Sequence, residues 1–287
     1  MSTATLEAPA FQAGIYGDMP EDAYHGDPVP GGSLSQSGAK KLLPPSCPAK
    51  FAWERKHPHP PTDAMELGTA AHRLVLGTGA DIVVVDAKDW RTKAAKEEAD
   101  EVRSRGAVPL LPADYARVTS MAKALREHPL ASAVFDPARG GHAEQSLFWE
   151  DQRWGIWRRC RIDWLPDLNR GKPYLADYKT CQSASPAAVA KSVANFRYFM
   201  QAPWYIDAVA AITGVRCPFV FVFQESTAPY LVTVCRLDGD AERAGRELND
   251  QAMERYRDCT ESGIWPGYSE DIEVISLPFW ATSREGS

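Results

Sequence analysis

The chain has 287 residues, 44% of them hydrophobic and 24% charged, which suits an ordinary globular protein and leaves room for one large domain or two small ones. Its formal net charge of −6 gives no overall sign of a nucleic-acid partner, although a local basic patch would matter more than the sum. No run approaches the roughly 18 apolar residues of a membrane span, and the N-terminus lacks the basic start and apolar stretch of a signal peptide. A cytoplasmic location and no membrane contact are therefore expected. Six cysteines are scattered without a C-x-x-C pair, so the spacings of zinc and iron–sulfur sites are absent and reduced core thiols are expected.

Residues 1–33, rich in Gly, Pro and acid, read as a loosely ordered N-terminal arm. A helix capped by Ser35 opens "SQSGAKKLL". "PPSCPAKFAWERKHPHPPTD" follows and ends in a Pro/His-rich loop. A helix over "AMELGTAAHRLVLG" stops at Gly77, "DIVVVDA" is a short strand, and "WRTKAAKEEADEVRSRG" and "PADYARVTSMAKALREHPLASAVF" read as helices. The pattern then changes to three consecutive antiparallel strands, "AEQSLFWED", "WGIWRRCRIDWLPD" and "KPYLADYKT". "PAAVAKSVAN" and "YFMQAPWYIDAVAAITG" are helices, "PFVFVFQES" and "PYLVTVCRLD" a strand pair, and "GDAERAGRELNDQAMERYRDCTESG" a long amphipathic helix. The aromatic, Pro-containing "WPGY" and "SLPFW" read as a docked irregular segment. Together these give an α+β fold with a central mixed sheet flanked by helices, as a single domain over 34–280 with a tail at 281–287.

The chemistry concentrates in the three-strand meander. Alternation puts Asp177 and Lys179 on one face of their strand, and Arg159, Arg161 and Asp163 on one face of the preceding strand. Arg158, Cys160, Ile162 and Trp164 share the opposite, mostly apolar face. Asp163 and Asp177 are separated by the turn "PDLNRGKP", so they can meet across a hairpin. Two converging carboxylates repel unless a cation or a proton lies between them, and oxygen ligands favour Mg²⁺ or Mn²⁺. A lysine beside such a metal can orient a water and offset charge on a phosphate. Taken alone, D…DxK is often no more than a surface salt bridge. Further pieces accompany it: His72 on a helix after Gly68-Thr69, Glu144 at the start of the first strand, and Gln201 and Tyr205 four apart on one helix face.

This order, G-x-x-x-H (Gly68–His72), E (Glu144), a strand ending in D (Asp163), D-x-K (Asp177–Lys179) and Q-x-x-x-Y (Gln201–Tyr205), resembles the RecB-like branch of the PD-(D/E)XK nuclease superfamily. "LSQSGAKKLL…CPAKFAWER" is similar to the entry segment of that branch. "LGTAAHRLVL", "GHAEQSLFWED", "RCRIDWLPD", "ADYKT", "PFVFVF" and "SLPFW" resemble the RecE-type (exonuclease VIII) recombination exonucleases over roughly residues 33–280. The resemblance implies a restriction-endonuclease-like core in a stand-alone nuclease domain of phage or prophage origin, acting in a bacterial cytoplasm. It implies a Mg²⁺-dependent exonuclease on double-stranded DNA ends that digests from the 5′ end and leaves 3′ single strands. It also implies a homo-oligomeric ring and a RecT-like single-strand annealing partner.

Carried over by matched residue, the resemblance makes His72, Asp163 and Asp177 metal ligands, with the Tyr178 backbone carbonyl, and Lys179 the catalytic lysine. Glu144 and Gln201 would support metal, water or scissile phosphate, and Tyr205 would stand one layer behind. A ring reconciles the acidic balance with DNA if its bore is basic. Arg158, Arg159, Arg161, Lys191 and Arg197 are candidates for the bore, and Arg91, Lys93 and Lys96 for a DNA end or backbone. Trp53, Trp90 and Phe199 are candidates to stack at a duplex end. A single-strand nuclease of the RecB or CRISPR-associated type, an endonuclease on the same fold, and an inactive DNA-binding module are the alternatives. Retention of both aspartates and the lysine argues against the last.

Overall fold

The structure is a computed structural model and describes residues 11–57 and 59–277. The chain opens with β1 (Gly14–Tyr16), α1 (Glu21–His25), β2 (Leu34–Ser35), α2 (Gln36–Lys41) and α3 (Pro48–Lys56). Next come α4 (Asp63–Leu76), β3 (Ile82–Val84), α5 (Lys93–Ser104), β4 (Val108–Leu110), α6 (Pro112–Glu127) and α7 (Pro129–Val134). The meander is β5 (Gly141–Asp151), β6 (Ile156–Pro166) and β7 (Leu175–Cys181). It is followed by α8 (Pro186–Asn195), α9 (Tyr198–Thr213), β8 (Phe219–Glu225), β9 (Val232–Cys235) and α10 (Gly239–Ser262).

The sequence signals act as expected at most boundaries. Ser35 caps α2 by accepting from the Gly38 amide, Thr62 caps α4 by accepting from the Met65 amide, and Gly77 ends α4 in the left-handed conformation. Pro129 splits the expected long helix into α6 and α7, because proline cannot donate to the preceding turn. The strand β4, paired in parallel with β3, was not evident in "VPLL", where a single triplet carries too little alternation to read.

The main sheet runs β1-β5-β6-β7-β8-β9, with β2 also on β6. It is mixed: β5, β6 and β7 form an antiparallel meander, and β8 pairs with β7 in parallel. Helices cover both faces. On one face Phe219, Phe221 and Phe223 of β8 pack with Leu147, Cys160 and Ile162 beneath α2, α9 and α10. On the other, Tyr178, Val220 and Val222 pack with Ala70, Ala71, Met121 and Phe135 of α4, α6 and the end of α7. Such alternation along β8 is what a strand buried on both sides requires.

The expected loose arm is corrected within the described residues. Residues 11–33 carry β1 and α1, and Phe11, Tyr16, Met19, Tyr24 and Val29 close on Phe148 and Trp157 as a third apolar cluster. Three aromatic side chains, Phe11, Tyr16 and Tyr24, spread through a Gly/Pro/acid-rich stretch provide the burial that its average composition hides. Residues 1–10 and the expected tail at 281–287 lie outside the described residues.

The C-terminal segment docks as expected at "WPGY" and is exposed beyond it. Trp265 packs on Phe51 and Tyr256, and the Pro266 carbonyl accepts from the Ala49 amide. Beyond Tyr268 the chain forms no helix or strand among the described residues, and Ile272, Val274, Ile275 and Leu277 are exposed. Pro278, Phe279 and Trp280 of "SLPFW" lie outside the described residues.

Helix α9 is held close to the sheet by α10. Pro203 inside α9 cannot donate to the Phe199 carbonyl, and Gly245 of α10 lies against that same carbonyl, where a Cβ would collide with it. One turn later the buried Asn249 donates to the Met200 carbonyl at 2.9 Å. The break in α9's own hydrogen bonding is thus covered by two residues of α10, and this fixes Gln201 above the sheet.

Candidate active site

Side chains of β5 and β6 change faces together. Leu147 and Cys160, a facing pair, lie in the core beneath α9, whereas the facing pair Ala143 and Trp164 lies with Phe135 and Tyr178 on the opposite side. Strict alternation would have kept Trp164 with Cys160 and Ile162, as expected from the sequence. The change falls at Glu144 and Asp163. Glu144 has φ of +52°, and the ladder passes from Ala143–Trp164 directly to Gln145–Ile162. A non-glycine residue held there costs about 1–3 kcal/mol, which surrounding structure must offset.

A second irregularity meets the first. β7 pairs in register with β6 only at Trp164–Ala176, while β2 occupies the same edge of β6 at Arg158 and Arg159. Between them the sheet forks. The Tyr178 amide donates there to the Asp163 side chain, 2.7 Å to Oδ2, instead of to a strand carbonyl.

Helix α4 crosses this fork on Ala70 and Ala71, both fully buried, and their small side chains let the helix lie close. That brings His72 to the opening. Its Nδ1 stands 3.5 Å from Asp163 Oδ2 and 3.9 Å from Glu144 Oε1, and its ring meets Tyr178 edge-on. One ligand atom each from His72, Glu144 and Asp163 lie within 4.8 Å of one another.

Asp177, 1% exposed, faces the helix α9 side. Its Oδ1 accepts from Gln201 Nε2 at 2.6 Å. Its Oδ2 lies 2.6 Å from Lys179 Nζ as an ion pair but has no aligned hydrogen bond. Tyr205, one turn beyond Gln201, is buried against Phe219. The Tyr178 side chain does more than its expected carbonyl role, since its hydroxyl donates to the buried Gln224 and its ring backs His72.

Burial and proximity shift the ionisable groups. Burial, and then the charge of Asp177, push the Asp163 carboxyl up to about 7. Burial opposes a charge on His72, but Asp163 and Glu144 outweigh it and raise the imidazole to about 8. Burial likewise opposes the Lys179 ammonium, and Asp177 and Asp163 outweigh it, raising it above its ordinary value. Three carboxylates converge, each with a cation beside it: Arg161 on Glu144, His72 on Asp163 and Lys179 on Asp177. An imidazole and two carboxylates within reach of one ion, with Asp177 on the adjacent strand, fit a hard divalent cation.

Two residues missed in the sequence complete the surroundings. Tyr198, one turn before Gln201, lies beneath two ammonium groups: Lys179 Nζ is 5.2 Å and Lys40 Nζ 5.1 Å from its ring centre. Burial and the Lys179 charge bring Lys40 down to about 8. Lys41 beside it is paired with Glu54 at 2.5 Å, whereas Lys40 has no carboxylate partner among the described residues. The i−3 spacing from Gln201 marks Tyr198 in retrospect; nothing in "GAKKLL" separates Lys40 from Lys41.

Residues 35–278 match the family described as a PDDEXK-like domain of unknown function (DUF3799). The chain belongs to this PDDEXK-like family. No curated protein matches it. Among solved structures it is similar to the crystal structure of a protein of Eubacterium rectale described as "Putative exonuclease". Identity is 12% and the TM-score 0.60, over 86% of this chain and 90% of that one, a likeness of fold. PDDEXK nucleases use divalent metals, and the His72–Glu144–Asp163 group is where this member can hold one.

Within this PD-(D/E)XK fold the expected DNA-facing arginines need correction. Arg158 is buried, paired with Asp151 at 2.7 Å and sandwiched by Trp149 and Trp204. Arg159 binds Asp27 at 2.6 Å and the Ser33 carbonyl and hydroxyl. Arg161 pairs with Glu144 at 3.2 Å and donates to the Met19 carbonyl. All three are consumed in fixing the sheet and the N-terminal segment. Arg197, in the left-handed region before α9, donates to the Pro44 carbonyl. Lys191 is exposed on α8, and Arg91 is exposed and paired with Asp89. Of the stacking candidates, Trp53 is exposed and stacked on His57, while Trp90 and Phe199 are partly buried.

Proposed function

We propose that this chain is a metal-dependent exonuclease of double-stranded DNA ends. The observation that carries the reading is the fork between β6 and β7, where Asp163 is shared between the Tyr178 amide and His72 while Asp177 and Lys179 stand on the adjacent strand. His72, Glu144, Asp163 and Asp177 would hold Mg²⁺, or Mn²⁺ in its place. A divalent cation bound there lowers the pKa of water and polarises a phosphate oxygen. Lys179, charged and aimed across Asp177, orients the attacking water and offsets charge as the phosphorus becomes five-coordinate. Gln201 keeps Asp177 in place through Oδ1, and Oδ2 is left to Lys179. Lys40 supplies a second cation beside Tyr198 for a phosphate of the bound strand, in keeping with its lack of a protein partner.

Digestion from the 5′ end, 3′ overhangs for recombination, a ring around DNA and a RecT-like annealing partner belong to the same proposal. They are supported by the resemblance of the motifs to RecE-type exonucleases. The test is a linear duplex labelled separately at each 5′ and 3′ end, incubated with and without Mg²⁺ beside a covalently closed circle. Metal-dependent loss of the 5′ label with the circle intact is expected. Cutting of the circle makes the protein an endonuclease, and no cutting with any metal makes it a binding module.

A further inference from the structure

We propose that Arg161 is a positioning residue for the metal centre: seated on the N-terminal segment, it fixes the Glu144 carboxylate so that one oxygen is turned to the ion. The inference rests on the reading of His72, Glu144 and Asp163 as metal ligands. It gives residues 17–27 a part in the site as well as in the fold.

The two oxygens of Glu144 have different neighbours. Oε1 stands 3.9 Å from His72 Nδ1, within the group that can hold a cation. Oε2 stands 3.2 Å from Arg161 Nε. That contact is an ion pair whose N–H is not aligned on the oxygen, so it holds the place of the carboxylate without saturating it. A carboxylate on a backbone at φ of +52° has no neighbouring turn or ladder to fix its direction, and the guanidinium supplies that direction from across the sheet. Carboxylates that ligate a metal are commonly held by such an outer partner.

The N-terminal segment in turn holds Arg161. Strand β1 runs along β5 as far as the pair Tyr16–Ser146, and Gly17 then passes so close to Gln145 that an added Cβ would lie 3.1 Å from its Oε1. Gln145 itself donates to the Ala143 carbonyl at 2.8 Å, bridging the residues on either side of Glu144. The Met19 carbonyl accepts from a terminal nitrogen of Arg161 at 2.5 Å, and the Tyr24 ring lies 5.5 Å from the guanidinium carbon. A planar guanidinium with several donors can meet a carbonyl and a carboxylate at once, which one ammonium cannot.

Arg159 is the internal contrast. It fastens the same segment, through Asp27, Ser33 and the Tyr24 ring, but contacts no carboxylate of the site. A role in fastening alone would make the two arginines equivalent. Charge gives a second contrast. Removing a cation beside a cation site should tighten metal binding by simple Coulomb repulsion relieved. Loss of positioning acts in the opposite direction and loosens it.

The experiment titrates Mn²⁺ into the parent chain and into Arg161→Met, Arg161→Lys and Arg159→Met without DNA, reading free Mn²⁺ by electron paramagnetic resonance, with circular dichroism as the check of folding. Arg161→Met is expected to lose about 10–100-fold in Mn²⁺ affinity, the range for removing a partner that orients a ligand. Arg159→Met is expected to keep the parental affinity even where its melting temperature falls. Arg161→Lys keeps the charge and most of the stem, so it serves where Arg161→Met does not fold, and a smaller loss in the same direction is expected of it. Parental or tighter binding by the folded Arg161 variants would overturn the proposal and leave the metal centre standing. An equal loss in Arg159→Met would also overturn it, because fastening the segment would then be the whole effect. A parent that binds no Mn²⁺ would remove the metal centre itself, and the proposal with it.

Discussion

In the first half of β6, Arg158, Arg159 and Arg161 each find an anion or carbonyl from the chain itself: Asp151, Asp27 with Ser33, and Glu144 with Met19. In the second half and its fork, burial and the Asp177 charge hold the Asp163 carboxyl well above its ordinary value, and Lys40 has no carboxylate partner among the described residues. Both regions are buried and both are rich in ionisable groups. The first is closed, and its charges order the fold. The second is open to one more partner, and buried charge left unpaired is costly enough that it marks where a ligand belongs.

The largest expected effects break the open region. Asp177→Asn keeps the shape of the site and its bond to Gln201 yet removes the charge; cleavage should fall to background with the melting temperature near that of the parent. Normal turnover would remove the proposed chemistry. Lys179→Met should slow cleavage by about 10²–10³-fold while DNA and metal still bind, the range seen when one group that stabilises transition-state charge is removed. A parental single-turnover rate would assign Lys179 a structural role.

Breaking the closed region should act on folding instead. Asp151→Ala strands the buried Arg158 guanidinium and should destabilise the chain by about 3–5 kcal/mol in denaturant unfolding, with the cleavage rate of the folded fraction unchanged. A loss of turnover without a loss of stability would place Arg158 in the reaction.

Metal affinity should depend on pH with a definite sign. Asp163 holds its proton below about 7 and His72 below about 8, and a bound cation needs both protons gone. Affinity for Mn²⁺ should therefore be full above about 8 and fall as the pH drops through 8 and then 7. The decline should be about tenfold per pH unit for each proton displaced. Calorimetry in buffers of different ionisation enthalpy would count those protons, and a flat profile from 6 to 8 would contradict the raised values of Asp163 and His72.

The smallest contrast is the sharpest. Lys40→Met should lower the salt dependence of DNA binding by roughly one unit of slope, and Arg159→Ala should leave it unchanged, because only Lys40 is free for a phosphate. Equal slopes for the two variants would erase the distinction between the regions.

Much of this site could be read before the fold was known. Asp163, Asp177 and Lys179 were legible as candidates because strand alternation and the intervening turn bring them together, whereas His72 and Gln201 entered through the resemblance of the motif order. The arginines of β6 were misread for the same reason: alternation gives the face of a residue but not what covers that face, and here the covering residues come from 11–33. Lys40 and Tyr198 were invisible because they join the site only through the packing of α2 on α9. The face change at Glu144 and Asp163 lies outside what a period of two can express, and it is what brings the imidazole and the two carboxylates together.

The most direct measurement is anomalous diffraction from crystals grown with Mn²⁺. A single strong peak bounded by His72, Glu144, Asp163 and Asp177, lost in Asp163→Asn crystals, is the expected result. A fork without a peak at saturating Mn²⁺, or a peak elsewhere that Asp163→Asn leaves in place, would contradict the assignment of this fork as the metal centre.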